Sequence, residues 1–160
     1  MASPETFTTH SEGETFALGE TVAAAVRPGT FVLLHGDLGA GKTAFVRGLA
    51  AGLGANPDDV SSPTFVLIQH YDGRIPLVHV DLYRLESGAA VDDLGLDELA
   101  SGAVVAIEWA DRLPRPLEGI VRVRIEDLGS DRRRITIEPG TTQPARRATE
   151  PAQKTAEPRT

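Results

Sequence analysis

Residues Gly36-Asp37-Leu38-Gly39-Ala40-Gly41-Lys42-Thr43 form the pattern G-x-x-x-x-G-K-[ST], a phosphate-cradling loop that works only between a strand and the N-terminus of a helix. Its glycines adopt backbone angles closed to other residues, so that successive N–H groups converge on phosphate oxygens. The following helix adds orphan donors and the positive end of its dipole, and the Thr43 hydroxyl can complete a Mg²⁺ shell. Of sixteen Lys and Arg side chains, all but Lys42 and Lys154 are arginine. The chain thus uses a slim ammonium once in its body, where a point charge rather than a planar fork reaches between phosphates.

The flanks fit the loop. Thr30-Phe31-Val32-Leu33-Leu34-His35 is a short apolar run after a Pro28-Gly29 turn, as in a buried strand. Beyond the loop, Phe45, Val46, Leu49, Ala50 and Leu53 recur at helical spacing, and Gly54 closes that helix.

One hundred and sixty residues suit one domain. The stretch 141–160 has three prolines and several charges but no aromatic or large aliphatic side chain, so it is expected to be a disordered tail on a 1–140 domain. Without it the chain holds 12 basic and 21 acidic groups, a net charge of −9 that repels a phosphate backbone. Autonomous nucleic-acid binding is therefore disfavoured. No cysteine is present, which excludes a disulfide framework and thiolate metal sites. No apolar stretch has membrane-spanning length and Met1-Ala2-Ser3-Pro4-Glu5 lacks a signal pattern, so the chain reads as cytoplasmic.

Ser11-Glu12-Gly13-Glu14 is a capping box opening a helix to about Val26, with Leu18, Val22, Ala25 and Val26 on one face. Asn56-Pro57-Asp58-Asp59 is a connector. A strand is expected over Phe65–Tyr71, turning at Asp72-Gly73 as a two-residue hairpin into Ile75–Val80, with Pro76 marking an edge or irregularity. The acidic segment Ser87–Leu99 predicts a short helix near Asp92–Leu99, and Ala103–Trp109 is another buried-strand run. Val121, Val123 and Ile125, then Ile135 and Ile137, alternate with polar residues as a hairpin around Gly129-Ser130. This mixture predicts an α/β fold: a P-loop NTPase-like three-layer sandwich around a mixed parallel and antiparallel sheet.

Hydrolysis needs charge stabilisation and a positioned water beyond the loop itself. Leu77-Val78-His79-Val80-Asp81 is an apolar strand ending in a carboxylate, the form of a Walker B element; the plain alternative is a strand-end cap. Val104-Val105-Ala106-Ile107-Glu108 ends a second strand, where Glu108 would lie beside the γ-phosphate to bind metal or order water; the plain alternative is a solvated terminal glutamate. Ser61-Ser62-Pro63-Thr64-Phe65 lies where nucleotide switches place a γ-phosphate-sensing threonine, although Ser-Pro-Thr is also ordinary turn chemistry. Trp109 reads as a core or partner anchor, His79 as a satisfied interior residue, and His10, His35 and His70 show no metal spacing.

Together the loop Gly36–Thr43, Ser62-Pro63-Thr64-Phe65, His79-x-Asp81-x-Tyr83-Arg84 and Ile107-Glu108-Trp109, in this order, resemble the bacterial TsaE (YjeE) family over about Thr6–Gly140. Its members are small P-loop ATPases required for threonylcarbamoyladenosine formation in tRNA. The resemblance implies ATP and Mg²⁺ as cofactors, Thr43 and Glu108 as metal ligands, Asp81 in the Walker B position and Thr64 in a switch segment. Lys42 then serves the phosphates, with base or ribose contacts from Thr9 or Ser11 and from an arginine at Arg132–Arg133. It also implies docking on a heterodimer of a TsaD-like transferase subunit and its TsaB-like paralogue, which modifies adenosine 37 in tRNAs reading codons that begin with A. tRNA is met only through that complex. ATP on this picture controls a conformational or release step.

The rivals are a small-molecule kinase, with Arg132-Arg133-Arg134 imitating an arginine lid, a GTPase, and a non-hydrolysing adaptor. Guanine selectivity usually needs Asn-Lys-x-Asp, whereas the lone Asn56 precedes Pro57.

Overall fold

A computed structural model describes residues 3–37, 41–60, 68–83, 85 and 87–139. Strands β1 (Glu5–Thr9), β2 (Phe31–Gly36), β3 (Ile68–Tyr71), β4 (Leu77–Asp81), β5 (Val104–Glu108), β6 (Ile120–Gly129) and β7 (Arg132–Pro139) form one sheet. Its order is β1-β7-β6-β2-β5-β4-β3. The inner strands β6, β2, β5 and β4 run parallel, while β3 at one edge and β7 and β1 at the other are antiparallel to their neighbours. Parallel strands buried on both faces explain the continuous apolar runs of β2 and β5.

Helices cover both faces, making three layers. On one face, α1 (Glu12–Ala25) and α2 (Lys42–Gly52) bury Leu18, Phe45 and Leu49 against Val32, Leu34 and Ala106. On the other, α3 (Gly88–Asp92) and α4 (Leu96–Leu99) bring Val91 and Leu96 to Leu33, Val78, Val80 and Ile107. The two long helices touch backbone to backbone. A Cβ on Gly48 would stand 1.9 Å from the Phe16 carbonyl oxygen, and one on Gly19 would stand 2.3 Å from that of Phe45. No side chain fits at either position. This close crossing holds the start of α2 beside the start of α1.

Several expectations hold. The P-loop flanks are a strand and a helix, all five stripe residues of α2 are buried, and the β6–β7 hairpin turns through Ser130-Asp131, both at positive φ. Ser11 caps α1, its Oγ accepting from the Glu14 N–H at 3.1 Å. The reciprocal bond departs from a strict capping box: the Glu14 carboxylate accepts from the His10 N–H at 2.7 Å.

Other expectations are corrected. The buried face of α1 is Thr15, Leu18, Gly19, Val22 and Ala23, and Ala25 is exposed. The acidic segment forms two short helices separated at Leu94-Gly95. The Asp72-Gly73 turn is longer than a two-residue hairpin, because Tyr71 pairs with Leu77 and the loop spans residues 72–76. That loop is tied to the end of α2. The Ile75 N–H donates to the Leu53 carbonyl at 3.2 Å, and Arg74 Nη2 to that of Gly52 at 3.0 Å. Strand β1 carries no apolar alternation and exists by its pairing with β7. The expected tail and the first residues of the Phe65 strand lie outside the described residues.

Candidate functional site

Gly36, Asp81 and Glu108 end three parallel strands at one edge of the sheet, with β5 between β2 and β4. Leu34 and Asp81 both pair with Glu108, so register alone assembles the edge. Ligands of open α/β sheets sit beyond such an edge. Gly41 caps α2 at φ 109°, a left-handed angle that favours glycine, and α2 begins at Lys42. Lys42 is 8% exposed, and its Nζ donates to the Gly36 carbonyl at 2.7 Å. The ammonium therefore stands between the strand end and the helix start. Asp37 is exposed beside it; Leu38, Gly39 and Ala40 lie outside the described residues, as do Thr64 and its neighbours.

A cavity of about 220 Å³ opens here. Gly41, Lys42 and Thr43 form its floor, Glu108 stands on the sheet side, and Ser11, Thr15 and Arg133 form the outer wall. The β1–β7 pairing explains that wall, since it sets Thr9 opposite Arg133. Of the outer candidates, Ser11 and Arg133 line the cavity. Thr9 is buried behind it, sharing a 2.8 Å hydrogen bond between its hydroxyl and that of Thr15, and Arg132 is exposed. Arg133 is steadied by Asp127 at 3.2 Å and lies 3.4 Å from where a Gly41 Cβ would stand. That distance is ordinary contact, so it is the left-handed φ rather than space that favours glycine at Gly41.

Glu108 is 5% exposed and pairs with His79, Nε2 to Oε2, at 2.7 Å. Asp81, one strand further out, is half-buried and accepts from the Tyr83 N–H through Oδ1 at 2.8 Å. Burial pushes the Asp81 carboxyl above its ordinary value of 3.8; the Glu108 charge adds to this, while the Tyr83 N–H, His79 and Lys42 oppose it. A carboxyl raised in the folded state favours folding while protonated, and that contribution is lost as pH rises through the raised value. Asp81→Asn keeps the Oδ1 acceptor and removes the charge. Its thermal midpoint is therefore expected to exceed wild type near pH 7, the difference shrinking as pH falls towards 3.8. Melts across pH that show no such convergence would remove the buried-charge explanation.

Trp109 is not the core residue that one reading of the sequence allowed. It is 37% exposed, sits at φ 62°, and packs on Tyr83 with ring centroids 4.9 Å apart. Lys42 Nζ lies 5.6 Å from its ring centre and the Arg112 guanidinium 5.9 Å. Burial, then the charges of Arg124 and Arg122, lower the pKa of His35; the neutral ring accepts from Arg122 Nη1 at 2.9 Å. Among the described residues, no group of three or more His, Asp or Glu is arranged to hold a metal ion by itself. His79, read from the sequence as a satisfied interior residue, is fully buried, but only its Nε2 has a partner among the described residues, Glu108 on the neighbouring strand.

No helix among the described residues is long and apolar enough to cross a membrane. The profile of the family described as threonylcarbamoyl adenosine biosynthesis protein TsaE matches residues 9–135. The chain is similar to the tRNA threonylcarbamoyladenosine biosynthesis protein TsaE of Bacillus subtilis, 44% identical over 127 residues covering 78% of each chain. It is also similar to the protein of the same name from Treponema pallidum, 40% identical over 79% of this chain and 95% of that one. The crystal structure of Bacillus subtilis YdiB superposes with a TM-score of 0.66 at 35% identity, covering 88% of both chains. The Gly36–Thr43 sequence pattern, the two strand-end carboxylates and these likenesses fall within the matched residues, and the chain belongs to the TsaE family of threonylcarbamoyladenosine biosynthesis proteins.

Proposed function

We propose that the chain is a Mg²⁺-dependent ATPase that supports threonylcarbamoyl modification of adenosine 37 in tRNA, working in the cytoplasm by docking on a TsaD-like and TsaB-like heterodimer. One observation carries this reading: Lys42, Thr43 and Glu108 line one cavity at the carboxyl edge of the parallel strands, at the start of α2, and Asp81, which does not line it, ends the next strand in register with Glu108. A hard divalent cation prefers oxygen ligands, and this edge offers a hydroxyl and two carboxylates. Burial first, and the Glu108 charge after it, raise the pKa of Asp81, and a cation at this edge would favour the ionised form of both carboxyls. The residues therefore fit Mg²⁺, with Thr43 and Glu108 holding it and Asp81 supporting it. When bound, Mg²⁺ offsets the charge of the terminal phosphates.

The chain's own groups do the rest. Loop N–H groups and the Lys42 ammonium bind the β- and γ-phosphates, Glu108 orients the attacking water, and Ser11 and Arg133 hold the nucleoside end. Backbone donors at a helix start and a buried ammonium act without reorganising, the condition under which electrostatic stabilisation is largest. The acidic body suits a subunit that meets protein while its partners hold the RNA. The kinase alternative loses its lid, because Arg132, Arg133 and Arg134 belong to β7, and Arg134 pairs across the hairpin with Glu126 at 2.9 Å.

The test is reconstitution. Purified transferase heterodimer and tRNA are expected to sustain adenosine modification only with this chain and ATP, and ATP hydrolysis should rise when the heterodimer is added. Modification that proceeds equally without the chain, or transfer of phosphate to a small metabolite, would overturn the proposal.

A further inference from the structure

His79 has no exposed surface, and its neighbours on the sheet face beneath α1 and α2 include Leu77 on its own strand and Ala106 opposite on β5. Among the described residues its imidazole has one partner, Glu108 Oε2, and Nδ1 is buried with none. An ionised carboxylate only accepts, so Nε2 carries the hydrogen. An apolar residue of similar size would fill this place without an unsatisfied nitrogen, so packing gives no reason for a histidine. Glu108 gives one.

The backbone makes the contact possible. His79 is in register with Ala106, and Glu108 lies two residues further along β5, roughly 7 Å at strand rise. The small side chain of Ala106 leaves the imidazole room to lean forward along the face. Glutamate has three rotatable side-chain bonds, and an anchored oxygen confines them while the residue lines the cavity beside Thr43.

We propose that His79 is a positioning residue whose Nε2–H fixes one oxygen of Glu108, from inside the sheet, so that the other faces the γ-phosphate side of the cavity. The inference rests on Glu108 acting on bound nucleotide, as proposed above. Residues that orient metal ligands and water-orienting groups in this way cost about 10- to 100-fold in activity when removed.

Two amide variants separate orientation from folding. The side-chain nitrogen of His79→Gln reaches as far as Nε2, whereas that of His79→Asn falls one bond short. With Mg·ATP as substrate, H79Q is expected to keep kcat within about threefold of wild type. H79N should lose about 10- to 100-fold in kcat with its KM nearly unchanged. Equal kcat in the two variants, whether both fast or both slow, overturns the assignment. A second readout does not need turnover: the Nε2–H proton of His79 in wild-type protein, followed by NMR. Its resonance should disappear in Glu108→Ala and shift when Mg²⁺ and a non-hydrolysable ATP analogue are added. A resonance indifferent to both overturns the proposal. If wild type with its partners hydrolyses no ATP, the ATPase reading itself has failed, and the resonance alone decides the contact.

Discussion

Lys42→Ala is expected to lower ATP turnover at least about a hundredfold while leaving the thermal midpoint equal to wild type or slightly higher. The loss follows from removing a preorganised charge from the site of phosphate charge development; a single such donor is worth about 10²–10³ in rate. The stability half follows from the position of Lys42. It opens α2, where a cation opposes the helix dipole at a cost of about 0.3–1 kcal/mol. Among the described residues its contacts are the Gly36 carbonyl and the Trp109 ring, with a weak attraction to the Asp81 charge, and alanine is the better helix former. A residue kept for folding would behave in the opposite way. Phosphate release and thermal melts on the same preparation decide the matter. Unchanged turnover would sink the phosphate-loop assignment, and a collapsed midpoint would make Lys42 a structural residue.

What was legible in the sequence is what local chemistry dictates. The run Phe31–Leu34, the five-residue stripe of α2 and the buried run of β5 follow from burial on both faces or from helical spacing. Gly41, Asp81 and Glu108 were legible because each closes or opens an element, where strand ends deliver ligating side chains. What escaped depends on contacts distant in sequence. Glu5–Thr9 has strand-favouring Thr and Phe but no apolar alternation, and its order comes from β7, more than a hundred residues later. That pairing also decides that Ser11 and Arg133 reach the cavity while Arg132 does not. The loop after Tyr71 took its length from bonds to α2, overriding the Asp-Gly turn signal. His79 looked like an interior residue, and it is one; only the β4–β5 register places its nitrogen on Glu108.

That contact changes how Glu108 has to be tested. Glu108→Ala would mix two effects, because it removes the carboxylate and also strips the buried imidazole of its partner, a loss of about 1–3 kcal/mol in stability. Glu108→Gln separates them. The amide oxygen still accepts from His79 Nε2, the volume is nearly unchanged, and only the charge and the basic oxygen are lost. Glu108→Gln is therefore expected to melt within a few degrees of wild type and to keep binding ATP through Lys42 and the loop, with a weaker hold on Mg²⁺. Its kcat should nevertheless fall about 10²- to 10⁴-fold, the range for losing a group that activates a reacting water. Asp81 cannot substitute, because it lies one strand further out and its Oδ1 is engaged by the Tyr83 N–H. The measurement is single-turnover hydrolysis with nucleotide affinity determined separately. A Glu108→Gln protein that binds and hydrolyses like wild type would move the water-orienting role elsewhere. One that loses nucleotide binding altogether would make Glu108 chiefly a metal ligand, since a Mg²⁺ held by Thr43 and Glu108 would contribute to affinity before any chemistry occurs.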